Sequence, residues 1–337
     1  MSTDFGENIL LDYLSFTVPF SEEMLEMLVK GLQTGPLVET GYGGMGYTSS
    51  ANILDGGRIF WHTERPEMGI HLRLNGQSLS LTGFTALGLL NYALDKGGRI
   101  TRLDIAFDDL LGLLDVQHMY EKLLSGAVTT RFRKVARVQG AAVGENRKIG
   151  DTLNIGSRSS QAFVRIYDKK AEQEYRGIDV SEIGSWTRVE LELKKEKAHM
   201  FSGLLARSST SKDNGTAGEM SVNLLYGLLD FKVVDQNDDN KTRWATSGWW
   251  LEFLGANKKL RLSIPVSIKT IDTAKRWVAT QVAPTLAMIL LSEMDDNGVS
   301  GYDFIMDSIF LGQERLSIEQ RNRLKRYNEQ QKVKGRE

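Results

Sequence analysis

From Asn8 to Thr17 the chain reads Asn-Ile-Leu-Leu-Asp-Tyr-Leu-Ser-Phe-Thr, a strand-like mixture of apolar and polar positions. Ser21 then caps a helix predicted to reach Leu32, with Glu22 and Glu23 in its first turn. Between Leu37 and Leu81 short apolar runs are cut by turn signals at Gly43-Gly44, Asp55-Gly56-Gly57 and Asn75-Gly76. That is the pattern of antiparallel hairpins. Phe84–Asp95 reads as a helix stopped by Gly97-Gly98. Strands are expected at Arg99–Asp108, Thr129–Val138, Thr152–Gly156, Ala162–Asp168 and Trp186–Leu193. Helices are expected near Val116–Leu124, from Lys169 to Tyr175 and at Glu196–Leu205.

This order predicts an α+β fold, a largely antiparallel β-sheet domain with flanking helices. Ser208–Ala217 has a linker's composition, and the pattern after it is mostly helical. The expected division is therefore a sheet domain over 1–207, a linker over 208–217 and a helical region over 218–337. Within the last region Thr270–Leu291 is amphipathic but interrupted by Pro284, followed by helices at Asp303–Leu311 and Ser317–Gln330.

Three strands carry charge on one face. Arg102, Asp104, Ala106 and Asp108 alternate with Leu103, Ile105 and Phe107. Arg188, Glu190 and Glu192 alternate with Val189, Leu191 and Leu193, and Arg165, Tyr167 and Lys169 share a face. Any one such strand is ordinarily a solvated face. Together they supply carboxylates, a phenol and cations, the set that phosphoryl chemistry uses. Asp104 and Glu190 are hard oxygen donors suited to Mg²⁺ or Mn²⁺. Arg165 and Lys169 beside Tyr167 are expected to favour its phenolate and to bind a scissile phosphate.

Composition narrows the classes. Of the 337 residues 41% are apolar and 25% charged, ordinary for a globular chain. No apolar run approaches the ~20 residues of a membrane span, and the first residues lack a basic leader, so a cytoplasmic protein is expected. With no cysteine, disulfides and thiolate chemistry are excluded. Net charge is −1, yet ten basic residues between Arg131 and Lys170 face only Glu145, Asp151 and Asp168. A local excess of seven positive charges suits a phosphate-binding surface. Gly156-Ser-Arg158, just before the tyrosine strand, reads either as a phosphate-holding turn or as a plain hairpin. His62, His71, His118 and His199 form no His-x-His pair and read as structural. Trp244, Trp249 and Trp250 are read as core ahead of base-stacking, and Lys258, Lys259 and Arg261 form a second small basic run. The chain has no P-loop, so it does not read as its own helicase.

Three blocks, Arg102-Leu-Asp-Ile-Ala-Phe-Asp-Asp109, Gly156-Ser-Arg-Ser-Ser160 leading into Arg165-Ile-Tyr-Asp-Lys-Lys170, and Trp186-Thr-Arg-Val-Glu-Leu-Glu-Leu-Lys194, resemble the core of the Rep_trans family. Asp12-Tyr-Leu-Ser-Phe-Thr17, Gly44-Met-Gly-Tyr47 and Pro284-Thr-Leu-Ala-Met288 resemble its phage and integrative-element branch. The resemblance implies an origin-specific nicking-closing enzyme with Tyr167 as nucleophile and a 5′-phosphotyrosyl intermediate. It further implies a Mg²⁺ or Mn²⁺ site on Asp104 and Glu190, with Asp108 and Glu192 as further candidates, a homodimer and a host helicase as partner. DNA contacts are expected from Arg158, Arg102, Arg188, Lys170, Arg131, Arg133 and Lys134. Two other readings stay open: a DNA-binding regulator without chemistry, and a metal-dependent hydrolytic endonuclease.

Overall fold

The computed structural model describes residues 8–34, 37–40, 42–144, 148–208, 217–258, 261–263 and, with interruptions, 271–328. Its frame is a mostly antiparallel sheet. The strands are β1 (Asn8–Val18), β2 (Val38–Glu39), β3 (Ser49–Ile53), β4 (Gly57–Trp61), β5 (Ile70–Asn75), β6 (Arg99–Asp109), β8 (Val135–Ala141), β9 (Lys148–Ile155), β10 (Ala162–Asp168) and β11 (Thr187–Lys194). Their order is β2-β3-β4-β5-β1-β6-β11-β10-β9-β8, so the first strand made lies at the centre. β13 (Arg261–Ser263) runs parallel to the start of β1, pairing Asn8 with Arg261.

Period-2 patterning sets which side of this sheet is dry. Phe16, Ile105, Phe107, Val164, Ile166, Val189 and Leu191 are all fully buried on one face. Each such side chain contributes roughly 1.5–3 kcal/mol on burial. A slip of one residue would exchange them for Asp104, Tyr167 and Glu190, so the register is strongly specified. Helices cover this apolar face: α3 (Ala86–Asp95) and α6 (Lys195–Ser208) pack together and against β6, and α4 (Val116–Ser125) packs on β9 and β10. Ser21 caps α1 (Glu22–Gly31) as expected, its hydroxyl accepting from the Met24 N–H at 3.0 Å.

Two local expectations change. Asn75-Gly76 is not a hairpin turn: the Asn75 side chain accepts from the Ser78 N–H at 3.0 Å and starts α2 (Gly76–Leu81). The same Asn75 amide donates to the Gly56 carbonyl at 3.3 Å. Gly56 sits at φ +94°, and a Cβ there would lie 2.6 Å from that amide nitrogen. The expected strand Thr129–Val138 divides into β8 and a separate β7 (Val128–Thr130), which pairs with β12 (Leu229–Phe231).

Residues 209–216, most of the expected linker, lie outside the described residues. Beyond them α7 (Ala217–Leu228), β12 and α8 (Gly248–Lys258) return to the rest of the chain. Trp250 is fully buried, donates its indole N–H to the Leu229 carbonyl at 3.2 Å and stacks on Phe253 at 5.2 Å. Trp249 packs on Phe231 at 5.1 Å, so this aromatic group is core. Pro284 lies in the first turn of α9 (Ala283–Leu290), where its missing N–H costs little, and α10 (Gly301–Glu314) follows. Among the described residues no helix is long and apolar enough to cross a membrane.

Candidate active site

The face opposite the core is polar and continuous across β1, β6, β11 and β10. Backbone pairing aligns Asp104 with Glu192, Asp108 with Arg188, Glu190 with Arg165, and Arg188 with Tyr167. The three charged strands of the sequence therefore do meet, side by side. A bulge in β1 between Leu11 and Tyr13 adds Asp12, which sequence reading passed over. The buried positions switch from Ile9 and Leu11 to Leu14 and Phe16, so only the bulge reveals its side.

Tyr167 is the centre of this face. It is 8% exposed, and its hydroxyl donates to Glu190 Oε1 at 2.6 Å. Burial, then the Glu190 charge, pushes the phenol well above its usual range, with Arg188 opposing. The expected phenolate is thus not what this arrangement favours. Arg165 is ion-paired with Glu190 Oε2 at 3.0 Å, and Lys169 bonds Glu172 at 2.6 Å. Lys169 is the first residue of α5 (Lys169–Tyr175), where the strand has ended, though its ammonium still lies 5.5 Å from the Tyr167 ring centroid. Burial lowers the Lys169 pKa. Burial raises that of Glu190, reinforced by Asp12 and opposed by Arg165. A carboxylate of raised basicity holding the phenol proton is the geometry of a general base.

The remaining charges are locked in pairs. Arg188 grips both Asp108 oxygens at 2.7 Å and reaches Asp12 at 3.3 Å, with its side chain only 6% exposed. It was expected to touch DNA; instead it braces the sheet behind Tyr167. Arg102 bonds Asp104 at 2.8 and 2.5 Å and Glu192 at 2.6 Å, and Lys194 meets Glu192 at 2.5 Å. Burial raises the Asp104 carboxyl to about 7, Arg102 opposing.

These pairs bear on the expected Mg²⁺ or Mn²⁺ site. Asp104 and Glu192 converge on the Arg102 guanidinium, and Asp108 and Glu190 are committed to Arg188 and to Arg165 and Tyr167. Among the described residues no three His, Asp or Glu side chains converge as a metal cluster. As arranged, the carboxylates fit cations of the protein itself and do not fit a divalent ion.

The other expected DNA contacts divide. Arg133, Lys134 and Arg158 line one open cavity with Asn154 and Phe163, beside the polar face. Arg131 is exposed, Lys170 is half-buried with its ammonium near the Gly184 carbonyl at 3.4 Å, and Arg147 and Lys259 lie outside the described residues. Three of the histidines make structural contacts: His71 bonds Thr17 at 2.9 Å, His118 meets the edge of Trp249 at 5.7 Å and His199 accepts from the Ile100 N–H at 3.3 Å.

Comparison with known proteins agrees with the three blocks. The profile of the replication initiation factor family matches residues 98–309. NicK of Bacillus subtilis (strain 168), which carries the name of a DNA relaxase, is 26% identical over 293 residues, 83% of this chain and 80% of that one. A solved rolling circle replication initiator protein from Geobacillus stearothermophilus superposes with a TM-score of 0.66 at 26% identity, covering 76% of this chain and 98% of that one.

Proposed function

The chain belongs to the replication initiation factor family, and on that premise we propose that it nicks one DNA strand at an origin and starts rolling-circle replication, carrying the new 5′ end on Tyr167. The observation that carries this reading is the buried Tyr167–Glu190 hydrogen bond inside a ring of paired cations and carboxylates. The tyrosine oxygen attacks phosphorus as its proton passes to Glu190. The bond from phosphorus to the 3′ oxygen breaks, and that oxygen takes a proton from Lys169, whose pKa burial lowers. Arg165, ion-paired with Glu190, can turn to the phosphate as Glu190 becomes protonated. The phosphotyrosyl ester keeps the energy of the broken bond, so the reverse steps reseal the strand without ATP.

Such a reaction needs origin DNA as duplex and as displaced single strand, and a separate helicase. A second copy of the chain fits the apolar side chains exposed on α9 and α10, among them Met288, Leu290, Phe304 and Phe310. A divalent ion has a role on this face only if Arg102 or Arg165 moves away from its carboxylates.

Supercoiled plasmid bearing the DNA that flanks the gene tests the reading. Wild-type protein is expected to relax it and to leave protein on the 5′ end, seen as a mobility shift under denaturing conditions. Tyr167→Phe is expected to bind and not to nick. Nicking at the wild-type rate by that variant overturns the assignment. Free 5′ ends would select a hydrolytic nuclease, and binding without nicking by the wild type a regulator.

A further inference from the structure

We propose that the half of the polar face carried by β1, β5 and β4 binds single-stranded DNA on one side of the nick, with Arg58 and Arg73 on its phosphates and Tyr42 stacked on a base. The choice of strand rests on the nicking reading, whereas the surface is defined by its own geometry.

Strand register extends the face of Tyr167 onto this other half of the sheet. Arg102 pairs with Ser15, Ser15 with Arg73, and Arg73 with Arg58, a single row across β6, β1, β5 and β4. Leu14, Ile59, Leu72 and Leu74, their neighbours in sequence, are buried in the core, so the row lies on the polar side. The two halves differ in how their cations are held. Near Tyr167, Arg102, Arg165 and Arg188 are each held by a carboxylate. Arg58 and Arg73 stand directly opposite each other, with no ion pair to either among the described residues. Like charges facing each other across a strand pair repel, and a shared anion relieves the repulsion. A phosphate is such an anion, and guanidinium groups bind it through paired N–H donors. His71, the next residue of β5 on this face, adds no charge near neutrality, since burial and then Arg73 lower its pKa to about 4.

Neutral partners set both arginines in place. Arg73 is exposed and gives its Nε–H to the Tyr13 hydroxyl at 2.7 Å. The Arg102 guanidinium lies 4.4 Å from the centre of the Tyr13 ring, so Tyr13 links the ion-paired half of the face to the unpaired one. Arg58 donates to Ser50 Oγ at 3.2 Å and lies 5.2 Å from the centre of the buried Phe60 ring. The same guanidinium lies 5.0 Å from the centre of the Tyr42 ring. Tyr42 is 64% exposed, yet its backbone is anchored. Its carbonyl accepts from the Ser50 hydroxyl at 2.7 Å and from the Thr40 hydroxyl at 2.8 Å. An exposed aromatic ring on an anchored backbone, beside an unpaired cation, suits an unpaired base. Bases inside a duplex are already stacked on one another and offer it no face.

The spacing sets how much strand is involved. Tyr167 lies in a row with Arg188 and Asp108, six residues along β6 from Arg102. Four strand spacings separate β10 from β5. At ~3.3 Å per residue and ~4.8 Å per strand, Tyr167 and Arg73 are about 28 Å apart along the face. A strand held at both points therefore spans several nucleotides.

Binding is read without joining on Tyr167→Phe, by fluorescence anisotropy of a dT single strand of ~16 nucleotides and of a duplex of equal length. Adding Arg73→Gln is expected to weaken the single strand several-fold and to lower the slope of log affinity against log salt by about 0.7. Arg73→Lys keeps the charge and is expected to restore the slope. Tyr42→Ala is expected to weaken the single strand about tenfold with the slope unchanged, and Tyr42→Phe to restore the affinity. The duplex is expected to be indifferent to both Tyr42 variants. Unchanged affinity and slope in Arg73→Gln, unchanged affinity in Tyr42→Ala, or an equal effect of Tyr42→Ala on the duplex overturns the proposal. If these signatures are present while the wild type never becomes joined to DNA, the surface stands and the nicking reading falls. Joining without them leaves the nicking reading and removes the surface.

Discussion

The Tyr167 hydroxyl and Glu190 Oε1 lie 2.6 Å apart on adjacent antiparallel strands, with Arg165 on the carboxylate's other oxygen. The pair lies at the centre of a buried polar face in which almost every charge already has a partner. Tyrosine is therefore held protonated until its carboxylate accepts the proton. The consequences of that coupling can be measured.

Glu190→Gln keeps a hydrogen-bond acceptor for Tyr167 and removes the base. Single-turnover nicking is expected to fall about 10²–10⁴-fold while affinity for single-stranded DNA stays within a few-fold. Wild-type nicking should rise with pH as Glu190 ionises, its pKa being raised by burial. Equal loss of binding and nicking would show that Glu190 holds the fold and not the proton.

Arg188 grips Asp108 in a pair almost closed to solvent. Arg188→Met leaves that carboxylate buried and uncompensated, at an expected cost of about 3–5 kcal/mol in denaturant unfolding. Adding Asp108→Leu should recover most of the loss, because no bare charge remains. A double variant as unstable as the single one would refute the pairing.

Arg102 occupies the point where Asp104 and Glu192 converge. In Arg102→Ala the two carboxylates face each other with only Lys194 left, on Glu192. Calorimetric titration with Mn²⁺ alone should then show tighter binding than in the wild type. Identical affinities would mean that the guanidinium does not stand where an ion would.

His71 is buried beside Arg73, and burial first, then that charge, lowers its pKa from 6.5 to about 4. Between those values the unfolded chain takes up a proton that the native one refuses, so stability falls as the pH drops from 6.5 toward 4. The loss is at most ~3 kcal/mol. Asp104, raised to about 7, acts in the opposite sense, since its proton is bound more tightly in the native state. The diagnostic quantity is thus the difference between wild type and His71→Gln across this range. A difference that does not change with pH would remove His71 from the account.

Much of this was readable in advance where the cause is local. Alternation at Leu103, Ile105 and Phe107, or at Val189 and Leu191, announces strands buried on one side, and both strands are there. Asp115 caps a helix where the sequence expects one to start, and Thr85 caps one a residue past the expected Phe84. Asn75 misled because one side chain serves equally well in a turn and as a cap. β12 and β13 have three residues each, too few to show a period, and exist only because β7 and β1 offer edges. The site was legible as residue types and not as pairings. Tyr167 sits beside Arg165 and Lys169 in sequence, which suggests a phenolate. Its nearest charge in space is Glu190, brought in by a neighbouring strand.

β1 holds the sheet together through three partners, β5, β6 and the distant β13. During synthesis its first residues emerge early, yet the strand that pairs with Asn8, Ile9 and Leu10 is made only when the ribosome reaches Arg261–Ser263. Contacts so far apart in sequence are slow to form. Until then the start of β1 has an open edge, the kind of surface that recruits other chains. The nascent protein is thus exposed to misassembly until Arg261–Ser263 has been made, and its yield should depend on how well that edge is shielded while that strand is awaited.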